Sequence, residues 1–317
     1  MNASHRYFFG FVIGVVIVFG LLFGLAYWVQ GSAPEAGRWT AEILAKKREA
    51  AIAKNPKLLI LAGSNALFGF SAEHVERQYG VPAVNLSSNA GLGLRYLLEF
   101  ARPFLRPGVI IALPLEYRFY GPLRLSQTNF LHLLGYDTTY FQSLPLARQI
   151  DVLTATEWSG WARMLKARLI GDVRRSDGYQ SSTINEHGDE TANRAEDRAP
   201  YALTRLAAIK GDERFVLTSE ALAIIDEFAR YAADRDARVV VTFPNILKNA
   251  IDVDGNREFF DELRRRLASS NIPLIGAPEA SVFDLNHALD TPNHQTRDGQ
   301  IAATDRLMAD LRRAGLI

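Results

Sequence analysis

"LLILAGSNALFG", Leu58 to Gly69, decides the fold. Five apolar residues in a row read as a strand buried on both faces, and the small residues Ala62, Gly63 and Ser64 then turn the chain at the strand's end. Working outward, "SAEHVERQYG" predicts a short helix closed by glycine, "AVNL" a strand, "LGLRYLLEFARPFL" a helix and "VIIALPL" (109–115) another strand. The same alternation returns after residue 200. Helix "SEALAIIDEFARYAADRD" precedes strand "RVVVTFP" (238–244), and helix "NREFFDELRRRLASSN" precedes strand "PLIG" and a last helix from about Asp298. Continuous apolar strands separated by helices indicate a mainly parallel sheet covered on both faces, so the expected architecture is a three-layer α/β (αβα) sandwich.

A core of that size suits 317 residues with 48% hydrophobic content. Lys and Arg total 36 against 35 acidic residues with no long basic run, so composition points away from nucleic acid. Cysteine is absent, which removes disulfides, thiolate metal sites and a cysteine nucleophile. The six histidines are scattered except for His287 and His294, and no His-Glu-x-x-His pair exists; neither a metal nor a cofactor is expected.

Ahead of the sheet, Tyr7 to Val29 is uncharged over 23 residues. As a helix this run is about 35 Å long, enough for a bilayer core of about 30 Å and longer than a secretory apolar region. Arg6 precedes it and Tyr27 and Trp28 stand at the interfacial level, so the expected arrangement is an uncleaved anchor with the N-terminus in the cytoplasm. Gly10, Gly14, Gly20 and Gly24 make two Gly-x-x-x-Gly pairs within one arc, a smooth stripe that suits a neighbouring membrane helix, although glycine is also common in such spans. The expected organisation is a cytoplasmic stub (1–6), the anchor (7–29), a helical linker (30–57) and an extracytoplasmic domain (58–317). An insertion at about 118–200, aromatic and helical at first and polar after 171, either caps the site, meets a partner or is a solvated excursion.

Ligands of parallel sheets bind at the carboxyl ends of strands. Ser64 stands at the first such end, where it reads as an exposed nucleophile or as a plain helix-capping serine. "NLSSNAGLGL" (85–94) stands at the second. There Gly91 and Gly93 let backbone approach a ligand and Asn89 offers an amide donor, without the third glycine of a dinucleotide site. "ALDTPNHQTRDGQIA" (288–302) carries Asp290 and His294 just before the last helix. "DLNH" offers Asp284 and His287 as a competing pair.

Serine after the first strand, asparagine and glycine after the second, and an acid and histidine before the final helix resemble the SGNH (GDSL-like) hydrolase superfamily over roughly 55–117 and 238–317. The resemblance implies a flavodoxin-like three-layer sandwich with Ser64 as nucleophile, His294 as base, Asp290 as its acid, and Gly91 and Asn89 as oxyanion donors. His294 and Gly299 keep the superfamily spacing. Four departures stand out. Ala62 and Gly63 replace the usual Gly and Asp, Thr291 occupies the usual acid position, the second-block glycine falls on Ala90 unless shifted by one to Gly91, and Glu116 follows the third strand where an asparagine donor is usual. One membrane helix before such a domain is similar to accessory proteins of bacterial envelope polymer acylation, the alginate O-acetylation and D-alanyl transfer proteins. That likeness implies a serine acyltransferase or acetylesterase in the bacterial inner membrane, with a polysaccharide substrate and a multispanning acyltransferase as partner. A catalytically silent polysaccharide-binding or scaffold subunit is the alternative.

Overall fold

The apolar runs become strands in chain order in the computed structural model, which describes residues 3–171 and 180–317. These are β1 (Leu58–Ile60), β2 (Ala83–Asn85), β3 (Ile110–Leu113), β4 (Arg238–Thr242), β5 (Ile246–Leu247), β6 (Leu274–Ile275) and β7 (Val282–Phe283). Five of them form one parallel sheet in the order β2-β1-β3-β4-β6. Leu58 pairs with Ala83 on one side and Ile110 on the other, so β1 is central and all of its side chains are buried. From β1 the chain adds β2 on one side and then crosses to add β3 on the other. That reversal opens a crevice beyond the carboxyl end of β1. β5 and β7 form a separate parallel pair, Ile246 opposite Val282, that the sequence pattern did not announce.

The chain divides into two compact units, one of Met1–Ala41 with Leu125–Gly178 and one of Glu42–Arg124 with Tyr179–Ile317. In the first, α1 (Ala3–Val29) contains a 26-residue stretch, Ser4–Val29, long and apolar enough to cross a membrane, and the first turns of α2 (Glu35–Lys54) follow it. Four short helices complete the unit: α6 (Gln127–Gly135), α7 (Thr138–Ser143), α8 (Leu146–Thr154) and α9 (Trp158–Ile170). The side chains of Ser126 and Asp137 cap α6 and α7 by accepting from Asn129 N and Tyr140 N. Phe130 and Trp161 meet edge to face at 5.0 Å in their core, and Gly160 lets the two helices approach.

In the second unit the helices are α3 (Ser64–Leu67), α4 (Ala72–Tyr79), α5 (Leu94–Ala101), α10 (Ala202–Ala207), α11 (Ser219–Ala233), α12 (Arg257–Ser269) and α13 (Arg297–Arg313). α4 begins at Ser71, whose hydroxyl accepts from His74 N, and stops at Gly80 in the left-handed region. α11 packs on β4 and α5, while α4 packs on β2 and α13.

The polar stretch after 171 departs from a solvated excursion. Residues 172–179 lie outside the described residues, but Asp189, Glu190 and Asn193 are buried. The Asp189 carboxylate accepts from Ala72 N, Glu73 N and the Ser71 hydroxyl, so it caps α4 from 117 residues away. Lys47 of α2 is fully buried beside it and donates to the carbonyls of Asn85 and Gly188. Burial pulls the Lys47 ammonium down to about 7 against the attraction of Asp189 and Glu190, and pushes the Asp189 carboxyl up.

Replacing Lys47 by Met strips two carbonyls of their donor and two buried carboxyl groups of their counter-charge. The expected loss is about 3 kcal/mol, read by chemical denaturation of the full chain in detergent. An unfolded lysine keeps its proton up to its ordinary 10.5 while the folded one releases it near 7. The unfolded chain thus binds more protons in that window, and wild type gains stability relative to Lys47→Met as pH rises through it.

Candidate functional site

Beyond β1 the chain has almost no freedom. Leu61 N donates to Ala112 O and Ala62 N to the Ser87 hydroxyl, which hold the strand's end between its neighbours. Gly63 then caps α3 with its carbonyl, accepting from Ala66 N and Leu67 N, and Ser64 is the first residue inside the helix. The cap is Gly63, without a side-chain bond, so helix capping does not account for Ser64. From Leu58 to Ala72, Ser64 is the one residue that is not buried. Asn65, next to it, donates its side-chain amide to Pro114 O at 2.7 Å and so ties α3 to the end of β3.

The acid and base lie together in one loop. His294 Nδ1 is 2.7 Å from Asp290 Oδ1, with the imidazole side chain 7% exposed and the carboxylate 32%. Leu289 N donates to His294 O and His294 N to Thr291 O, while Thr296 N donates to His287 O, which closes the loop on itself. Anchors from outside fix it: Leu247 N of β5 donates to Pro292 O, Arg297 N donates to Asn193 O, the Asn193 amide donates to Gln295 O, and the Arg205 guanidinium donates to Asp290 O. A carboxylate on Nδ1 selects the Nδ1–H tautomer and leaves the lone pair on Nε2. Thr291 has its hydroxyl 3.3 Å from Asn293 N, and the carboxylate that meets the imidazole is that of Asp290. The competing pair is arranged differently: Asp284 is exposed and accepts the His287 N–H on its backbone carbonyl. Gly299 packs against His287 Cβ and Gln295, where a side chain would be tight.

Phe68 connects the two halves of the site. Its ring stacks on His294, centroids 4.2 Å apart and planes 20° apart. Its N–H donates to Ser64 O, one helical turn earlier. The imidazole thus packs on the residue whose backbone closes the turn that Ser64 opens. The sequence reading missed Phe68; its spacing of four from Ser64, which puts both on one helix face, was the available signal.

The second and third strand ends differ from expectation. Asn89 Oδ1 accepts from Gly91 N at 2.8 Å, so the Gly91 amide is engaged in a side-chain turn and Asn89 presents its oxygen inward. Gly93, the other glycine of this stretch, has positive φ (82°). Ala90 is the residue that touches the turn before Ser64: a Cβ on Gly63 would fall 2.5 Å from Ala90 Cβ and collide with Glu116 Oε1. Glu116 is buried, receives Asn65 N at 3.4 Å, and pairs through Oε2 with Arg118 Nε at 2.6 Å. The carboxyl group thus takes up the room that a side chain at 63 would need, and it stands beside the turn at Gly63 and Ser64 with Arg118 offsetting its charge. No cluster of His, Asp and Glu suited to a metal occurs among the described residues.

No protein family matches the chain by sequence, and no curated protein does. Among solved structures, protein YXIM of Bacillus subtilis superposes with a TM-score of 0.38 and 12% identity over 82% of this chain. The chain spans 57% of the length of that protein's chain. A likeness at that level carries no argument about activity.

Gly63→Ala is expected to cost about 1–3 kcal/mol through overpacking. The same change in a Glu116→Ala background should cost less, because one of its two obstacles is gone; a double-mutant cycle on thermal or chemical unfolding reads the coupling.

Proposed function

We propose that this chain is a membrane-anchored serine acyltransferase or acetylesterase that acts on a cell-envelope or exopolysaccharide through an acyl-enzyme on Ser64. The supporting observation is the His294–Asp290 pair, with His294 stacked on Phe68, whose N–H donates to the carbonyl of Ser64, the one residue from Leu58 to Ala72 that is not buried. The same reading takes the sheet as a three-layer αβα sandwich, with α5 and α11 on one face and α4 and α13 on the other, which their mutual packing supports. It places the chain in the bacterial inner membrane with its N-terminus inside and the sheet unit outside. The glycine stripe of α1 has nothing within 4 Å of any of its four Cβ positions and serves a multispanning acyltransferase as partner.

In this mechanism His294 Nε2 takes the Ser64 proton as Oγ attacks the acyl carbonyl. The tetrahedral intermediate collapses, His294 returns the proton to the departing oxygen, and the acyl group stays on Ser64. A sugar hydroxyl or water, deprotonated by His294, then attacks the acyl-enzyme and frees the serine. Asp290 holds the imidazole tautomer and stabilises the imidazolium. The Ser64 N–H supplies an oxyanion donor; one such donor contributes about 3 kcal/mol to a transition state. An ionised Glu116 donates nothing and disfavours the developing negative charge nearby. That carboxylate, with the Gly91 amide already engaged, favours the second reading: a silent polysaccharide-binding or scaffold subunit.

Fluorophosphonate labelling of the full chain in detergent separates the two. Wild type should label, Ser64→Ala should not, and His294→Ala and Asp290→Asn should label about 10³-fold more slowly. Glu116→Gln, which turns an acceptor into a donor, should accelerate the p-nitrophenyl acetate burst about tenfold. Absence of label from both wild type and Glu116→Gln would leave the scaffold.

A further inference from the structure

The helical unit has an apolar surface that its own fold leaves uncovered, and α1 shows where that surface lies. Residues 4–18 of α1 are exposed all round. From Phe19 onward one face is covered, at Phe19, Leu22, Phe23, Ala26 and Val29, a spacing of three and four residues. The elements packed against α1 in this unit are α6 and α9. The guanidinium of Arg168, near the end of α9, sits 5.7 Å from the Trp28 ring.

From Trp28 down to Phe19 a helix descends about 13 Å, well into the apolar half of a leaflet if Trp28 marks the interface. Helices that cover that face of α1 descend with it. The outer face of α9 suits such a place: Trp158, Leu169 and Ile170 are 86%, 66% and 78% exposed. The helix carries Arg163, Lys166 and Arg168 and no acidic residue. Aromatic and aliphatic side chains interleaved with cations are the composition of a helix lying in a headgroup layer of anionic lipid.

We propose that the unit formed by α6 to α9 is seated in the membrane surface around α1, with the exposed face of α9 against anionic lipid. The anchor is then a monotopic helical base built on a single span. This inference rests on α1 lying in the bilayer, and on nothing in the chemistry of Ser64.

Because the chain lacks cysteine, single cysteines can be introduced and labelled without background. The full chain, labelled at Leu169→Cys or Ile170→Cys with an environment-sensitive fluorophore, is reconstituted in phosphatidylcholine–phosphatidylglycerol vesicles. Val16→Cys in the span and Ser269→Cys in the sheet unit are the references. Spin-labelled lipid should quench the probes at 169 and 170 by about half, and iodide should quench them about fivefold less than the probe at 269. Iodide quenching at 169 and 170 equal to that at 269, with Val16 still quenched by lipid, overturns the lipid seat and leaves the anchor standing. Shielding from both quenchers that disappears on dilution in lipid assigns the face to a second copy of the chain and overturns the proposal equally. A probe at 16 that lipid does not quench removes the anchor itself.

Discussion

A strand flanked by two parallel neighbours has no free backbone groups, and everything about the candidate site follows from β1 being that strand. Its amides and carbonyls are committed to β2 and β3, and its side chains are buried on both faces. The chain leaves it at a fixed place in a fixed direction. Ala62 and Gly63 continue that constraint, because Ala90 and Glu116 leave no room for a side chain at 63. Ser64 emerges as the first residue after β1 with access to solvent, held by the packing of its neighbours and by the bond from Phe68 N to its carbonyl.

A second constraint is the removal of charge from water around α4 and β2. Lys47, Asp189 and Glu190 are buried together, and buried charges are tolerated where hydrogen bonds replace the lost water. Asp189 caps α4, and Lys47 ties α2 to the end of β2 and to the loop at Gly188. The same segment presents Asn193, whose carbonyl anchors the residue before Asp298 at the start of α13. A polar stretch thus secures both the second strand and the histidine loop.

The sheet was legible in the sequence because its strands are unbroken apolar runs closed by glycine, proline or small residues. "LLILA", "VIIALPL" and "RVVVTFP" each became a strand, shorter than the run by one or more residues. The helix closed by Gly80, α4, and the helical pattern of α11 were equally plain. The polar stretch around Asp189 was not legible, since no local pattern distinguishes a carboxylate that caps a distant helix from one in water. Asp290 and His294 could be picked from spacing, and the structure brings them together. Gly91 could not be judged: whether its amide is open depends on the rotamer of Asn89. Phe68 and Glu116 matter through contacts across 226 and 51 positions with His294 and Asn65, which no local reading reaches.

Acid and base sit four residues apart in a loop closed by its own hydrogen bonds, while the serine belongs to another element. Asp290 and His294 therefore travel as one body. Any shift of that loop, through Pro292 or Asn193, changes the reach from imidazole to hydroxyl and leaves the carboxylate–imidazole distance as it was. The carboxylate–imidazole contact and the placing of that pair against α3 are set by separate parts of the chain, so one can be adjusted while the other is kept.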